Sequence, residues 1–324
     1  MERTKKIDPK KIQSNLTNNF VKLMPAFYEM ESSFLSDVYK RYGDLEGGNI
    51  VIFFARDCHL EILRKREKDM GFNLSLEKFW KNHKEVFQTR KKIIVVSQET
   101  GLPKETTRRK IISLIKSKHI QKADKNRLFW EPASEYKETY LKIIEQEINA
   151  LSKFIYEQTK LLGLNLSISK IENEIKNNYS FYWYHYLNVQ LEYIKFWQEK
   201  LKDLEMLLIG LQVIIQTLNF IKKKPDNFLS LINEDKNVNN FKLNEANISA
   251  TSVSDITGIP RATCIRKLEK FVKMKILEKD SKTKRYSLIF NQTTFNPMLQ
   301  PDWMKRKISI LSNFSTTVLS GLIR

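Results

Sequence analysis

Ser97-Gln98-Glu99-Thr100-Gly101-Leu102-Pro103-Lys104-Glu105-Thr106-Thr107-Arg108-Arg109-Lys110 returns in degenerate form as Ser254-Asp255-Ile256-Thr257-Gly258-Ile259-Pro260-Arg261-Ala262-Thr263-Cys264-Ile265-Arg266-Lys267. Repetition at a fixed offset is read first, because it decides the architecture. Each copy has the grammar of two short helices joined by a sharp turn. Ser97 and Ser254 stand where an N-cap would open the first helix. Gly101 and Gly258 permit the positive φ of a tight turn. Pro103 and Pro260 pre-set φ for the first turn of a second helix.

At about 100° per residue the second helix divides into faces. Thr107, Ile111, Leu114, Ile115 and Lys118 share one stripe, matched by Cys264, Leu268, Phe271, Val272 and Lys275. All but the last member of each suit a core face. The opposite face carries Glu105, Thr106, Arg109 and Lys116, matched by Ala262, Thr263, Arg266 and Lys273. Arg109 and Arg266 lie nearest its centre, and arginine is the usual bidentate partner of guanine O6 and N7. After each helix comes a polar, basic stretch and then β-prone residues: Gln121 to Arg127 before Leu128-Phe129-Trp130, and Glu278 to Arg285 before Tyr286-Ser287-Leu288-Ile289-Phe290. That pattern predicts a β-ribbon with a cationic tip.

These residues resemble the winged helix-turn-helix of bacterial transcription regulators, nearest in style to the IclR, MarR and GntR groups. The likeness covers roughly residues 92–131 and 247–290, about a quarter of the chain. It implies a three-helix winged fold whose second motif helix enters the major groove of double-stranded DNA. The residues carried onto that expectation are Lys104, Thr106, Arg108, Arg109, Lys110, Lys125 and Arg127 in the first copy. In the second they are Arg261, Thr263, Arg266, Lys267, Lys284 and Arg285. One departure stands out: the position before the wing, usually glycine in such domains, is Lys118 or Lys275.

Composition agrees with a polyanionic partner. The 324 residues carry a formal net charge of +19, concentrated around both motifs. Cys58 and Cys264 lie far apart, and His59, His83, His119 and His185 form no ligand-like cluster, so no metal, cofactor or disulfide framework is expected. No nucleophile elbow, phosphate-binding glycine loop or paired-carboxylate motif is present, and no catalytic residue is assigned. The N-terminal Met1-Glu2-Arg3-Thr4-Lys5-Lys6 lacks a hydrophobic signal region, which points to the cytoplasm.

The repeat extends beyond the motifs. Asp44-Leu45-Glu46 matches Asp203-Leu204-Glu205, each leading into an apolar run, and Leu151-Ser152-Lys153-Phe154 matches Leu311-Ser312-Asn313-Phe314. The expected fold class is therefore mainly α, with two winged helix-turn-helix domains on a helical scaffold and an internal pseudo-two-fold duplication of about residues 1–165 and 166–324. Its parts are an N-terminal helical scaffold over 1–74, a first winged domain over 75–133, long linking helices over 134–224, a second winged domain over 225–292 and a C-terminal helix over 293–324. The linking helices are placed at about 137–163 and 181–222. Met206 to Ile221 is too short and too interrupted by polar residues for a membrane span, and reads as a core helix. The aromatic run Phe181 to Tyr186 reads as packing between repeats.

The function expected is a sequence-specific transcription regulator reading two half-sites. The chain would act as a monomeric pseudo-dimer or a homodimer, with no membrane partner and with room for a small-molecule effector of unknown identity. Two rivals remain: a plasmid- or phage-type replication initiator, and a protein-interaction scaffold that no longer touches DNA.

Overall fold

The computed structural model describes residues 7–124, 127–223, 246–289 and 301–323. Among them are thirteen helices and two short antiparallel ribbons, so the protein is mainly α. The first half runs α1 (Pro9–Asn18), α2 (Phe20–Tyr42), α3 (Leu45–Lys68), α4 (Leu76–Glu85), α5 (Ile93–Thr100), α6 (Lys104–Lys116), β1 (Ile120–Ala123), β2 (Arg127–Trp130) and α7 (Lys137–Leu161). The second half runs α8 (Ile168–Asn177), α9 (Tyr179–Leu201), α10 (Leu204–Lys223), α11 (Ala250–Thr257), α12 (Arg261–Lys273), β3 (Leu277–Lys279), β4 (Tyr286–Leu288) and α13 (Pro301–Leu322). The two halves follow one order. The pairs α1/α8, α2/α9, α5/α11 and α6/α12 agree in length at 10, 23, 8 and 13 residues. The described residues hold no counterpart of α4.

Local chemistry punctuates both halves alike. Asp8 caps α1, its Oδ1 accepting the Lys10 N–H at 3.0 Å, and Ser167 caps α8, accepting the Lys170 N–H at 3.2 Å. Helix α2 stops at Gly43, with φ of 75°, and Asp44 opens α3 by accepting the Gly47 N–H at 2.6 Å. The single helix expected near 181–222 is in fact two. Lys202 takes a left-handed φ of 56°, and Asp203 accepts the Met206 N–H at 3.3 Å to start α10. The break repeats the Gly43–Asp44 junction with a lysine in the glycine's place.

The halves pack by exchange. Helix α2 lies against α10, and α9 lies against α3; α7 covers α2 and α8, while α13 covers α9 and α1. Side chains follow the same reciprocity. Phe27 meets Tyr193 edge-on with ring centroids 5.5 Å apart, and Phe34 meets Tyr186 edge-on at 5.5 Å. Tyr186 and Tyr193 occupy in α9 the places that Phe27 and Phe34 occupy in α2, so each contact is the other with its halves swapped. Such aromatic pairs add about 0.5–1.5 kcal/mol beyond their burial.

Helix α10 is long and apolar enough to cross a membrane, but 67% of its most apolar window is buried inside the fold. There Gln212 donates to Ser32 Oγ at 2.8 Å. Tyr182, Trp183 and Tyr186 of the aromatic run are buried, as packing between the halves requires. Helix α13 is the counterpart of α7.

Candidate nucleic-acid interface

The two turns share their fastening. Ser97 and Ser254 are not caps: α5 opens after Lys92, and α11 opens after Ser249, whose Oγ accepts the Ser252 N–H at 3.0 Å. Both serines instead lie inside their helices and donate across the turn, Ser97 to the Leu102 carbonyl and Ser254 to the Ile259 carbonyl, each at 2.7 Å. Gly101 and Gly258 take φ of 71° and 76°. Pro103 and Pro260 sit at the N-cap positions of α6 and α12, one place earlier than expected, with extended ψ of 139° and 136°. The core stripe is as read, with Thr107, Ile111 and Leu114 buried in α6 and Cys264, Leu268 and Phe271 in α12.

Both second helices end in a left-handed residue, Lys118 at φ 58° and Lys275 at φ 57°. The His119 N–H returns to the Leu114 carbonyl at 2.9 Å and the Ile276 N–H to the Phe271 carbonyl at 3.0 Å, the bonds of a Schellman exit. A lysine therefore holds a conformation that glycine adopts at no steric cost. His119 and Ile276 are both buried at the ribbon base. Burial holds the His119 imidazole down at about 4, so it stays neutral.

Each ribbon gains a third edge that sequence patterning did not reveal. Lys91 exchanges two backbone bonds of 2.9 Å with Leu128, and Ile248 does the same with Tyr286. In both halves this bridge residue lies just before the first motif helix. A one-residue bridge has no period to detect. The second ribbon tip is built by Asp280, whose Oδ1 accepts the Lys282 and Thr283 N–H groups at 2.9 and 2.6 Å. The turn displays Lys282, Lys284 and Arg285 to solvent.

Lys104, Arg108, Arg109, Arg127, Arg261, Arg266, Lys284 and Arg285 are exposed, while Thr106 and Thr263 are half-buried. Lys125 lies outside the described residues. Arg108 is held by Glu105 at 2.6 Å, and its guanidinium keeps that carboxyl below its ordinary range. Arg261 Nε donates to Thr251 Oγ1 at 3.0 Å. Arg109 and Arg266 have no hydrogen bond or ion pair among the described residues. Arg90, beside the first bridge and outside the repeated motif, adds an exposed cation stacked 5.7 Å from the Phe129 ring centroid.

Two assignments are corrected. Lys110 and Lys267 are not free for phosphate. Lys110 Nζ lies 3.0 Å from Asp44 Oδ2 and 3.3 Å from Glu46 Oε2. Lys267 Nζ lies 2.6 Å from Asp203 Oδ2 and 2.7 Å from Glu205 Oε2, with only 7% of its side chain exposed. The repeated Asp-Leu-Glu is thus one jaw of a clamp that fastens each motif helix to a scaffold helix.

Among the described residues no group of His, Cys, Asp or Glu is arranged to hold a metal ion, and Cys58 and Cys264 are free and buried. Comparison of the chain with protein families, curated proteins and solved structures finds no match.

Proposed function

We propose that α5–β2 and α11–β4 are two winged helix-turn-helix heads, products of an internal duplication, and that the chain is a transcription regulator reading an inverted repeat in double-stranded DNA. The observation that carries this reading is the recurrence of one exposed arginine, Arg109 and Arg266, without a partner among the described residues and at the same place on two matching helices. Each helix is 13 residues long, about 20 Å at 1.5 Å per residue, and slender enough for a major groove about 12 Å wide. Base edges would be read from that face. Lys104, Arg261 and the cations of the ribbons would neutralise phosphates, with counterion release supplying most of the sequence-independent affinity.

The reciprocal packing of the halves bears on the kind of target. A two-fold exchange presents the second head to the duplex in the opposite direction from the first, so both read the same half-site on opposite strands. Direct repeats, the usual target of a replication initiator, call for a translation between heads instead. The exposed faces differ, Glu105 against Ala262 and Arg108 against Ile265, so the arms of the repeat should be related and not identical.

Selection of bound sequences from a random duplex pool tests the proposal. Enrichment of an imperfect inverted repeat, with half-site centres about 10 bp apart or a multiple of that, is the expected result. Absence of enrichment over random duplex would return the chain to the class of protein-interaction scaffolds.

A further inference from the structure

Beneath the first ribbon, residues of α2, α3, α4, α7, α9 and β2 line a cavity of about 50 Å³. Much of its wall is aromatic, with Phe79, Trp130, Tyr140 and Trp183 among the rings, and two polar features break that wall. Arg41 Nη2 lies 3.4 Å from Glu147 Oε1, well beyond the 2.7–2.9 Å of a good charge-assisted bond. Its Nε is buried without an acceptor, and His59, 1% exposed, has a buried Nδ1 without a partner. A buried polar group left unpaired costs about 1–3 kcal/mol, and two of them beside a hole mark it as a place where a polar occupant would be stabilised.

The second half shows that the scaffold does not need these groups. At the matching positions Lys200 stands for Arg41, Leu218 for His59, Trp197 for Val38 and Ile214 for Ala55. Two polar groups are thus altered or lost, and two small residues are replaced by large ones. A requirement of the shared architecture would be met in both halves. The groups that line the cavity are specific to one.

Its walls also belong to the first head. Trp130 ends β2 and is bracketed by Gln88, which donates to its carbonyl at 2.6 Å and accepts its N–H at 3.0 Å. Tyr42 bonds Tyr140 hydroxyl to hydroxyl at 2.7 Å and meets the His119 ring at 4.9 Å, just where the ribbon begins.

We propose that this cavity binds a short-chain monocarboxylate, with its carboxylate on Arg41 and its apolar body among the aromatic rings, and that occupancy repositions the first ribbon. The size follows from comparison: a cavity of about 150 Å³ admits benzene, so one a third as large takes a molecule of only a few heavy atoms. The charge follows from Arg41, which has donors to spare and in Glu147 only a distant partner. The effect on DNA rests on the function proposed above; the binding does not.

The test is calorimetric titration of the full chain with acetate, propionate and butyrate, with the alcohols of equal length as controls. Saturable binding of at least one acid and none of its alcohol is expected. Ala55→Ile, which copies the second half, should abolish it while leaving the circular dichroism spectrum unchanged. The pair Arg41→Gln with Glu147→Gln, which strands no charge, should leave acids binding no better than alcohols. No saturable heat from any acid, equal heat from the alcohols, or full binding by Ala55→Ile would overturn the site. With a selected duplex in hand, the acid should shift DNA affinity on the order of fivefold or more. Unchanged affinity with proven acid binding would overturn the regulatory half alone. Failure to bind any duplex would count against the proposed function and leave the calorimetric result standing.

Discussion

Gln190 Nε2 donates to Glu31 Oε1 at 2.6 Å, and the two residues, 159 apart in the chain, hold the same position in α2 and α9. A residue that touches its own counterpart lies on the axis relating two halves. On either side of this pair, Phe27–Tyr193 and Phe34–Tyr186 repeat each other. The axis is also a costly place for a charge, since Glu31 and Gln190 are 1% and 0% exposed.

That burial sets a pH dependence. Burial lifts the Glu31 carboxyl to about 8, against the Gln190 hydrogen bond, which pulls the other way. The unfolded chain ionises the same group near 4.5, so stability drawn from the neutral acid is whole below that pH and drains away as pH rises through about 8. Glu31→Gln cannot ionise and keeps a partner for Gln190. Urea unfolding from about pH 5 to about pH 9 should show the wild type losing up to about 1.4 kcal/mol per pH unit more than the variant. Parallel profiles would show that Glu31 is charged in the fold.

The clamp lysines should behave as structural residues. Lys267→Met leaves Asp203 and Glu205 side by side without their cation and should cost on the order of 1–3 kcal/mol. Lys110→Met should cost less, because that ion pair is the more exposed, 19% against 7% at the lysine. Neither should alter the salt dependence of binding to random duplex. A flatter salt slope in Lys267→Met would put that lysine back among the phosphate-binding residues.

Arg109→Ala and Arg266→Ala should each weaken the selected site on the order of 1–3 kcal/mol and relax preference at one base pair. Binding to random duplex should change little. Equal losses on both kinds of DNA would deny the two arginines a base-reading role.

Neutralising Arg127, Lys284 and Arg285 together should weaken binding to every sequence. Their removal should also flatten the logarithmic salt dependence by roughly one unit of slope for each phosphate no longer neutralised. Titrations at three or more salt concentrations decide it, and an unchanged slope removes the ribbons from the interface.

Lys118 and Lys275 hold left-handed φ of 58° and 57° at the exits of α6 and α12. Replacement by glycine removes the clash between Cβ and carbonyl that disfavours this region, worth about 1–2 kcal/mol for other residues, and returns part of that gain as unfolded-chain entropy. Lys275→Gly should therefore raise the melting temperature slightly. A clear fall would mean that the side chain, and not the backbone, holds the helix exit.

Much of each helix–turn–helix segment and its ribbon is legible from residues alone, because its chemistry is local. Gly101 and Gly258 bend where only glycine bends freely, and Ile111, Leu114, Leu268 and Phe271 recur at the helical spacing of one buried face. Misreadings arise where two local explanations compete. A serine at the head of each motif copy reads as a cap, yet Ser97 and Ser254 lie a turn inside their helices and close the bend from within. The break at Lys202 is hidden because a lysine performs a turn that usually announces itself with glycine. Lys110 and Lys267 read as phosphate contacts because they flank the exposed face of the motif helix, a local reading that takes both as facing solvent. Which carboxylates approach from another helix is invisible to it.

The amino-acid order by itself determined the mainly helical class, the repeated unit, the turn of each motif and its buried stripe, since these depend on backbone preferences and side-chain periodicity within about a dozen residues. Only the tertiary structure decided which half lies against which, that Glu31 meets Gln190, that Asp44 and Asp203 claim a lysine each, and that residues of six elements close around one cavity. Those outcomes depend on shape complementarity between surfaces far apart in the chain, and no local pattern carries that information.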